Sequence, residues 1–239
     1  MDFSYSGNHE YDHTAGGLGR DPSGISTDGG WKPNWFIGGQ DSGGECSVPL
    51  FKRYHMPENG NALYWFSFDY GMIHMIHIST EHDFTKGSAQ IKWLENDLKN
   101  IDRKKTPWVF IGGHRPMYNS EIYDGDIRVS HYMRAGFEDL MIKYKVDLAL
   151  WAHMHAYERT CKVNNGKCVT GDEYGITHLT IGNAGASLDG AKYYKREWSL
   201  IRYQEYGYGR ITIANSSAML FESFVNKHAK VQDSFWLYH

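Results

Sequence analysis

Two histidines separated by a single residue, His153 and His155, are the pair whose types and spacing could most directly do chemistry. In extended chain, residues two positions apart point to the same side, so both imidazoles can face one metal ion or straddle two. Neutral imidazole is the commonest transition-metal ligand in proteins. Two polar side chains at a strand end are also a common structural arrangement, so a ligand role needs donors from other segments.

Two other segments supply such donors. His114 directly follows a short apolar run and Gly113, and Asn8 lies in the polar run Asn8-His9-Glu10. Taken alone, that polar run is more typical of a surface turn. Borderline divalent metals accept imidazole, carboxylate and amide oxygen together. The combination therefore predicts a metal site built from several parts of the chain.

The elements that must position these residues follow an alternating pattern. Runs 108–111 and 146–151 are apolar throughout, which is typical of strands buried on both faces. Runs 88–101 and 137–144 have apolar residues at helical spacing, with Ser88 as a candidate N-cap. Alternating helices and strands predict right-handed crossovers and a largely parallel sheet.

In such a sheet the candidate ligands are expected to meet. His114, His153 and His155 follow predicted strands, and ligands of parallel sheets gather beyond the carboxyl ends of the strands. Runs 63–68 and 73–79 predict a hairpin, and the chain from Arg210 onward reads mainly as strands with a hairpin through 214–217. The ending is therefore expected to be antiparallel.

Composition excludes several classes of protein. The chain has 239 residues, 41% hydrophobic content and a formal net charge of −3, so a basic nucleic-acid-binding surface is not expected. No apolar run approaches the roughly 20 residues that cross a bilayer. The start at Met1 lacks the basic and apolar regions of a signal peptide. We expect neither nucleic acid nor a membrane as a partner.

Three ordered blocks of the sequence resemble the purple acid phosphatase family. They are Gly7-Asn8-His9-Glu10, Gly113-His114-Arg115-Pro116-Met117-Tyr118 and Ala152-His153-Met154-His155-Ala156-Tyr157-Glu158-Arg159. The similarity extends through Gly44-Glu45-Cys46, Ile78-Ser79-Thr80-Glu81-His82-Asp83 and Gly185-Ala186-Ser187-Leu188-Asp189-Gly190 to the C-terminus. It therefore covers nearly the whole chain.

The resemblance implies a metallophosphoesterase-like α/β sandwich, with central mixed, largely parallel sheets and a mainly β C-terminal part. Residues 1–239 would form a single catalytic domain, with a metal-site core over 1–160 and a β-rich part over 176–239. The implied activity is an acid phosphatase that hydrolyses small phosphate monoesters at a binuclear centre of Fe(III) beside a divalent Zn, Fe or Mn. The implied location is extracellular.

Roles carry over position by position from the resemblance. Asn8, His114 and His153 would bind the divalent ion, and His155 would bind the ferric ion. His9 would be catalytic and substrate-binding, as a hydrogen-bond donor beside the phosphate. Two metals of this kind can clamp phosphate oxygens and stabilise charge during an in-line displacement.

The resemblance breaks at the N-terminus. The family has DxG and GDxxY blocks upstream of this point, whereas the sequence as given begins six residues before Gly7. We therefore expect the N-terminal strands of the fold to be missing and ligands to remain mainly for the divalent site. The rival hypothesis is a non-catalytic truncated remnant, or a binding module that holds at most one divalent metal. A mononuclear phosphodiesterase is a third possibility.

The resemblance also breaks after Asn119-Ser120. Several relatives carry histidines there that serve as general acid, whereas this sequence continues with residues 121–126. Asp124 or His131 are possible substitutes, although a surface-loop carboxylate is the simpler interpretation of Asp124. Arg115 either contacts phosphate or braces its loop.

Three further features concern covalent chemistry. Cys161 and Cys168 bracket a turn-rich hexapeptide, so we expect them to form a disulfide if the protein is exported. Cys46 would then be the odd thiol. Asn215 begins the sequence Asn215-Ser216-Ser217, an N-glycosylation sequon that has meaning only in the secretory route.

Overall fold

The computed structural model describes residues 7–10, 47–61 and 63–239. Within them the helices are α1 Val48–Arg53, α2 Ala89–Lys99, α3 Asp124–Met133 and α4 Asp139–Lys143, and a π-helical turn, Arg134–Glu138, joins α3 to α4. The strands are β1 Phe66–Tyr70, β2 Ile73–His77, β3 Trp108–Gly112, β4 Leu148–Trp151, β5 Tyr157–Asn164, β6 Lys167–Cys168, β7 Ile176–Ile181, β8 Ser199–Tyr203, β9 Gly207–Asn215, β10 Ala218–Val225 and β11 Lys230–Tyr238. Cys46 and the block that contains it lie outside the described residues.

The described strands form two sheets. The larger one has eight strands in the order β1-β2-β3-β4-β7-β5-β6, with β8 also paired to β5. Its middle strands β2, β3, β4 and β7 are parallel, whereas β1, β5, β6 and β8 pair antiparallel. The smaller sheet is antiparallel, in the order β11-β10-β9. The predicted mixed α/β fold with a mainly β C-terminal part is confirmed.

The central strand β3 explains why its sequence is apolar at every position. Val109 and Ile111 pack in a core shared with the helices, whereas Trp108 and Phe110 pack in a second core shared with the three-stranded sheet. Side chains alternate between the faces of a strand, so a strand buried on both sides needs apolar residues throughout. The molecule is therefore layered, with helices against the larger sheet and the smaller sheet against its other face.

The predicted elements are present with shifted boundaries. The helix predicted from 88 to 101 is α2, and the hydroxyl of Ser88 caps it by accepting a hydrogen bond from the Ile91 amide at 3.3 Å. The hairpin turns at Gly71, which has φ +57°, and a second hairpin passes through 215–218.

One expectation was wrong in its local structure. Asp124 is the first residue of α3 and not a loop residue, although it is exposed. Two carboxylates, Asp124 and Asp126, occupy the first turn of α3. Negative charge there is favoured by the partial positive charge at a helix N-terminus.

Within residues 7–10, 47–61 and 63–239, no helix combines the length and apolar character needed to span a membrane.

Candidate functional site

A tight turn presents Asn8 to the interior. The Glu10 amide donates to the Gly7 carbonyl at 3.1 Å, and the Glu10 carboxylate accepts from the Gly7 amide at 3.0 Å. The Glu10 carbonyl accepts from the Ser47 amide at 2.6 Å, which ties the turn to the start of α1. Asn8 is buried as a result.

His114 and His153 are brought together by the parallel pairing of β3 and β4. Gly112 at the end of β3 is opposite Leu150 of β4. His114 lies two residues after Gly112, and His153 lies three residues after Leu150. The Ala152 amide donates to the His114 carbonyl at 2.9 Å, so the two strand ends remain joined beyond the sheet. His153 has φ +65°, a left-handed conformation that is uncommon for non-glycine residues.

Three donor atoms meet at one point. The Asn8 Oδ1 atom is 2.7 Å from His114 Nε2 and 3.0 Å from His153 Nδ1. His153 Nδ1 and His114 Nε2 are 2.9 Å apart. Ligand atoms adjacent on one transition-metal ion are separated by roughly 3 Å when metal–nitrogen bonds are about 2.0–2.1 Å. The spacing of the three atoms therefore fits a shared metal ion.

The protons in this cluster also fit a cation. His153 Nε2 lies 3.1 Å from Oδ1 of Asp126, which can only accept, and 3.2 Å from Nη1 of Arg115, which can only donate and makes a shorter contact of 2.7 Å to Asp126. A proton on Nε2 satisfies Asp126 and leaves the lone pair of Nδ1 free for a cation. Burial, and then the neighbouring His153, hold the pKa of His114 well below its ordinary value, so His114 is neutral. Asn8 Oδ1 is an acceptor.

The third donor is the side-chain amide oxygen of Asn8. Among the residues that the structure describes, histidine, cysteine, aspartate and glutamate alone do not form a group of three suited to a metal ion. Asn8 completes the cluster because its oxygen adds to the two imidazoles.

His155 is held by a different segment. Its Nδ1 lies 2.7 Å from the Ser187 carbonyl and 3.4 Å from Asp189 Oδ1, and its backbone amide donates to the Asp189 carboxylate. A carbonyl can only accept, so Nδ1 carries the proton and Nε2 keeps the lone pair. An imidazole that binds a metal through Nε2 needs this tautomer, with the proton on Nδ1 and Nε2 unprotonated.

Arg115 occupies a buried bracing position. It is 3% exposed, and its guanidinium donates from Nε to Glu81 Oε1 at 2.9 Å and from Nη1 to Asp126 Oδ1 at 2.7 Å. Of the two interpretations of Arg115, the geometry favours bracing. The prediction that Arg115 binds substrate gains no support, because its guanidinium is enclosed and engaged by two carboxylates.

His9 lies at the surface beside the cluster. It is exposed, and it lines a cleft of about 250 Å³ together with Arg53 and Tyr54 of the α1 region. Among the described residues, none of the candidate metal ligands lines this cleft, and His9 adjoins the cluster through its neighbour in sequence, Asn8. The role of His9 stays a prediction.

The candidates for general acid make their described contacts with residues other than the three donors. Asp124 Oδ1 is 3.4 Å from the Tyr194 hydroxyl, and His131 Nδ1 is 2.9 Å from the Arg134 guanidinium. Burial, and then the nearby Arg134, lower the pKa of His131. Neither residue is brought to the cluster by the contacts it makes.

Sequence reasoning missed the carboxylates around the site. Asp126 contacts His153, Glu81 contacts Arg115 and Asp189 contacts His155. Glu121 is also buried, and burial followed by the charge of Asp189 raises its pKa to about 8. Glu81 and Asp189 lie in blocks that resemble the family, and this resemblance could have identified them as site residues. Asp126 lies where the resemblance breaks, so its position carried no such indication.

The covalent features are placed as follows. Cys161 and Cys168 form a disulfide that joins β5 to β6. Asn215 ends β9 at an exposed turn, where its side-chain oxygen accepts from the Ser217 amide at 2.8 Å.

Comparison with known proteins places the chain in a family. Residues 3–157 match the model of the calcineurin-like phosphoesterases, and residues 175–234 match the model described as iron/zinc purple acid phosphatase-like protein C. The chain is similar to a purple acid phosphatase from yellow lupin seeds, with a TM-score of 0.82 and 32% identity over 98% of this chain and 40% of that one.

Two curated relatives extend the comparison. "Probable inactive purple acid phosphatase 27" of Arabidopsis thaliana is 35% identical over 85% of this chain and 35% of its own length. A nucleotide pyrophosphatase/phosphodiesterase of Hordeum vulgare is 33% identical over 85% of this chain and 58% of its own length. The chain therefore spans about a third to somewhat over half of these relatives.

The lupin structure agrees with the layered fold. The chain belongs to the calcineurin-like phosphoesterase family, among the purple acid phosphatases. This is a family of binuclear metal-dependent phosphoesterases.

Proposed function

We propose that this chain is part of an acid phosphatase that hydrolyses phosphate monoesters, and that it binds the metal ions and the phosphate group. The observation that carries the proposal is the meeting of Asn8 Oδ1, His114 Nε2 and His153 Nδ1 within 3.0 Å of one another. These residues would hold a divalent Zn, Fe or Mn ion, and His155 Nε2 would serve a neighbouring Fe(III). When bound, such ions supply Lewis acidity toward phosphoryl oxygens.

The protein's own groups have separate tasks in this proposal. His9, which is exposed and directly follows Asn8 in the chain, would donate an N–H to a phosphate oxygen and orient the ester. Asp126 and Arg115 would keep the ring of His153 in place from the buried side. The general acid for the leaving group is left unassigned.

A second candidate function is a binding module for a single divalent ion. Two observations favour it: the described residues bring three donors to one point, while His155 is oriented by the separate segment of Ser187 and Asp189. A relative named as inactive also matches 85% of the chain. In this alternative the metal stabilises the strand ends and no ester is hydrolysed.

Metal stoichiometry and turnover separate the two functions. We would load the purified 239-residue chain with Zn²⁺, Mn²⁺ or Fe, count bound metal by mass spectrometry, and assay p-nitrophenyl phosphate against its bis-ester. Monoester hydrolysis that His153→Ala abolishes and that the exposed-site control His228→Gln retains supports the phosphatase. One bound ion without turnover supports the binding module, and faster cleavage of the diester supports a phosphodiesterase.

We also propose that the chain passes through the secretory route. The supporting observations are the Cys161–Cys168 disulfide and the exposed sequon at Asn215. Expression in a secreting eukaryotic host should give a product whose mass falls on treatment with a peptide:N-glycosidase. Asn215→Gln should abolish this shift, whereas Asn226→Gln, an exposed asparagine outside a sequon, should leave it intact. An unshifted wild-type product would contradict the proposal.

A further inference from the structure

A buried chain of charged side chains ends on one of the candidate ligands. Glu81 accepts from Arg115 Nε at 2.9 Å, and Arg115 Nη1 donates to Asp126 Oδ1 at 2.7 Å. The same Asp126 oxygen lies 3.1 Å from His153 Nε2, and Arg115 Nη1 lies 3.2 Å from that nitrogen. The side chains of Glu81, Arg115 and Asp126 are 0%, 4% and 7% exposed, so the chain is shielded from water.

The contact with Asp126 favours a proton on Nε2 of His153, because Nη1 of Arg115, which also faces Nε2, makes its shorter contact to Asp126. A neutral imidazole has one N–H, and a carboxylate can only accept it. With the proton on Nε2, the lone pair of Nδ1 points to the place where Asn8 and His114 also present donor atoms. A proton on Nδ1 would block that place.

The backbone of His153 gives a reason why the ring needs this support. Its φ of +65° is a conformation that L-residues seldom adopt, and it is maintained only where surrounding contacts hold it. Asp126 comes from the first turn of α3, far from His153 in sequence, so its contact depends on the packing of the helix.

We propose that Asp126 is a positioning residue that fixes the ring orientation of His153 and its Nε2–H tautomer, and that Arg115 and Glu81 hold Asp126 for this task. The inference rests on the proposed metal site. It assigns Arg115 a role beside Asp126 and His153 instead of a contact with substrate. Partners on the outer nitrogen of metal-binding histidines commonly set tautomer and orientation, and their loss weakens metal binding by about 10- to 100-fold.

The test compares Asp126→Leu, Asp126→Asn and the control Asp124→Asn in the full 239-residue chain. Asp124 is the matched control because it also lies in the first turn of α3 but is exposed. Zn²⁺ alone is the probe in a competition titration, and ¹⁵N correlation spectra of the metal-free protein report the tautomer of His153.

We expect Asp126→Leu to weaken Zn²⁺ binding by about 10- to 100-fold and to move the His153 ¹⁵N shifts away from the Nε2–H pattern. Asp126→Asn keeps an oxygen acceptor and should recover most of the affinity and the tautomer. The control should match the wild type in both measurements. If Asp126→Leu does not fold, the wild-type tautomer and the Asp126→Asn affinity decide.

Three results would overturn the inference: an Nδ1–H tautomer in the wild type, wild-type Zn²⁺ affinity in folded Asp126→Leu, or an equal loss in the control. The proposed function fails separately. A chain that hydrolyses no ester but shows the expected tautomer and Zn²⁺ losses retains the positioning role. A chain that hydrolyses monoesters with Asp126→Leu unchanged loses it.

Discussion

Gly7 leaves room for the His114 ring because it has no Cβ atom. A Cβ atom built on Gly7 would lie 2.7–2.8 Å from three atoms of that ring, closer than side-chain carbons normally approach. His114 is half-buried, and its ring is held in the cluster by the contact of Nε2 with Asn8 Oδ1 at 2.7 Å. An added methyl group must therefore displace the imidazole or the turn.

We expect Gly7→Ala to weaken Zn²⁺ binding by at least about 10-fold, similar to the loss of a group that orients a ligand. The measurement is the same competition titration. Gly87→Ala is the control, because Gly87 has φ +90° and no atom within 4 Å of a built Cβ. That control should lower thermal stability without changing Zn²⁺ affinity; equal Zn²⁺ binding by wild type and Gly7→Ala would contradict the prediction.

At the scale of elements, His74 joins the β1–β2 hairpin to α2. Its Nδ1 lies 2.6 Å from Asp69 of β1, and its Nε2 lies 3.0 Å from Asp97 of α2. Asp97 also accepts from the Ser67 hydroxyl at 2.6 Å. Burial by itself would lower the pKa of His74, but the hydrogen bonds and charges of Asp97 and Asp69 exceed that effect and raise the pKa above 6.5.

The raised pKa predicts how stability depends on pH. The charged imidazole stabilises the folded state fully below the unfolded value of 6.5, and this stabilisation is lost as pH rises through the folded pKa. At acidic pH, His74→Gln should lower the free energy of unfolding by about 1.5–3 kcal/mol, the usual contribution of hydrogen bonds to charged groups.

Denaturant unfolding below pH 6.5 and at clearly alkaline pH tests this prediction. The difference between wild type and His74→Gln should shrink at alkaline pH. His228→Gln, at an exposed position, should differ little from the wild type at either pH. A difference that is constant or grows with pH would show that His74 acts through packing and not through its charge.

Elements differed in how far the sequence revealed them. Strands β3 and β4 could be predicted because they are apolar on both faces. Strand β5 was missed because it carries Glu158 and Arg159, whose partners are distant in sequence. Glu158 accepts from the Ser120 amide at 3.1 Å, and Arg159 pairs with Asp233 at 2.6 Å. No local pattern shows that these charges are compensated.

The candidate site was predicted to a similar degree and for a similar reason. Asn8, His114 and His153 could be found because each lies in one of the three sequence blocks that resemble the family. Asp126 could not, because its contact with His153 at 3.1 Å depends on where α3 packs against the sheet. The order of residues in the sequence predicts which side chains follow the ends of strands. Contacts with the side of a ligand ring that faces away from the metal site depend on tertiary packing.

At the scale of the whole molecule, a buried ion pair connects the two sheets. Asp233 of β11 accepts from the Tyr157 hydroxyl at 2.7 Å and from Arg159 Nε at 2.6 Å, and both partners belong to β5 of the larger sheet. The side chains of Arg159 and Asp233 are 17% and 6% exposed. Apolar side chains from both sheets pack around these contacts. Two neutral hydrogen bonds also join the sheets, from the Tyr203 hydroxyl to Ser223 Oγ at 2.6 Å and from Trp108 Nε1 to the Asn215 carbonyl at 3.0 Å.

Removing one partner of a buried ion pair leaves the other charge uncompensated, which costs more than the pair itself contributes. We therefore expect Asp233→Ala to lower the free energy of unfolding by about 3–5 kcal/mol, measured by denaturant titration. Glu222→Ala is the matched control in the neighbouring strand, since Glu222 pairs at 2.8 Å with an Arg210 side chain that is 56% exposed. Exposed pairs contribute about 0–1 kcal/mol, so the control should lose no more than that. If both variants lost the same small amount, the prediction would be wrong: the sheets would be held together by apolar packing and the remaining hydrogen bonds, and the Asp233 contacts would fix only their register.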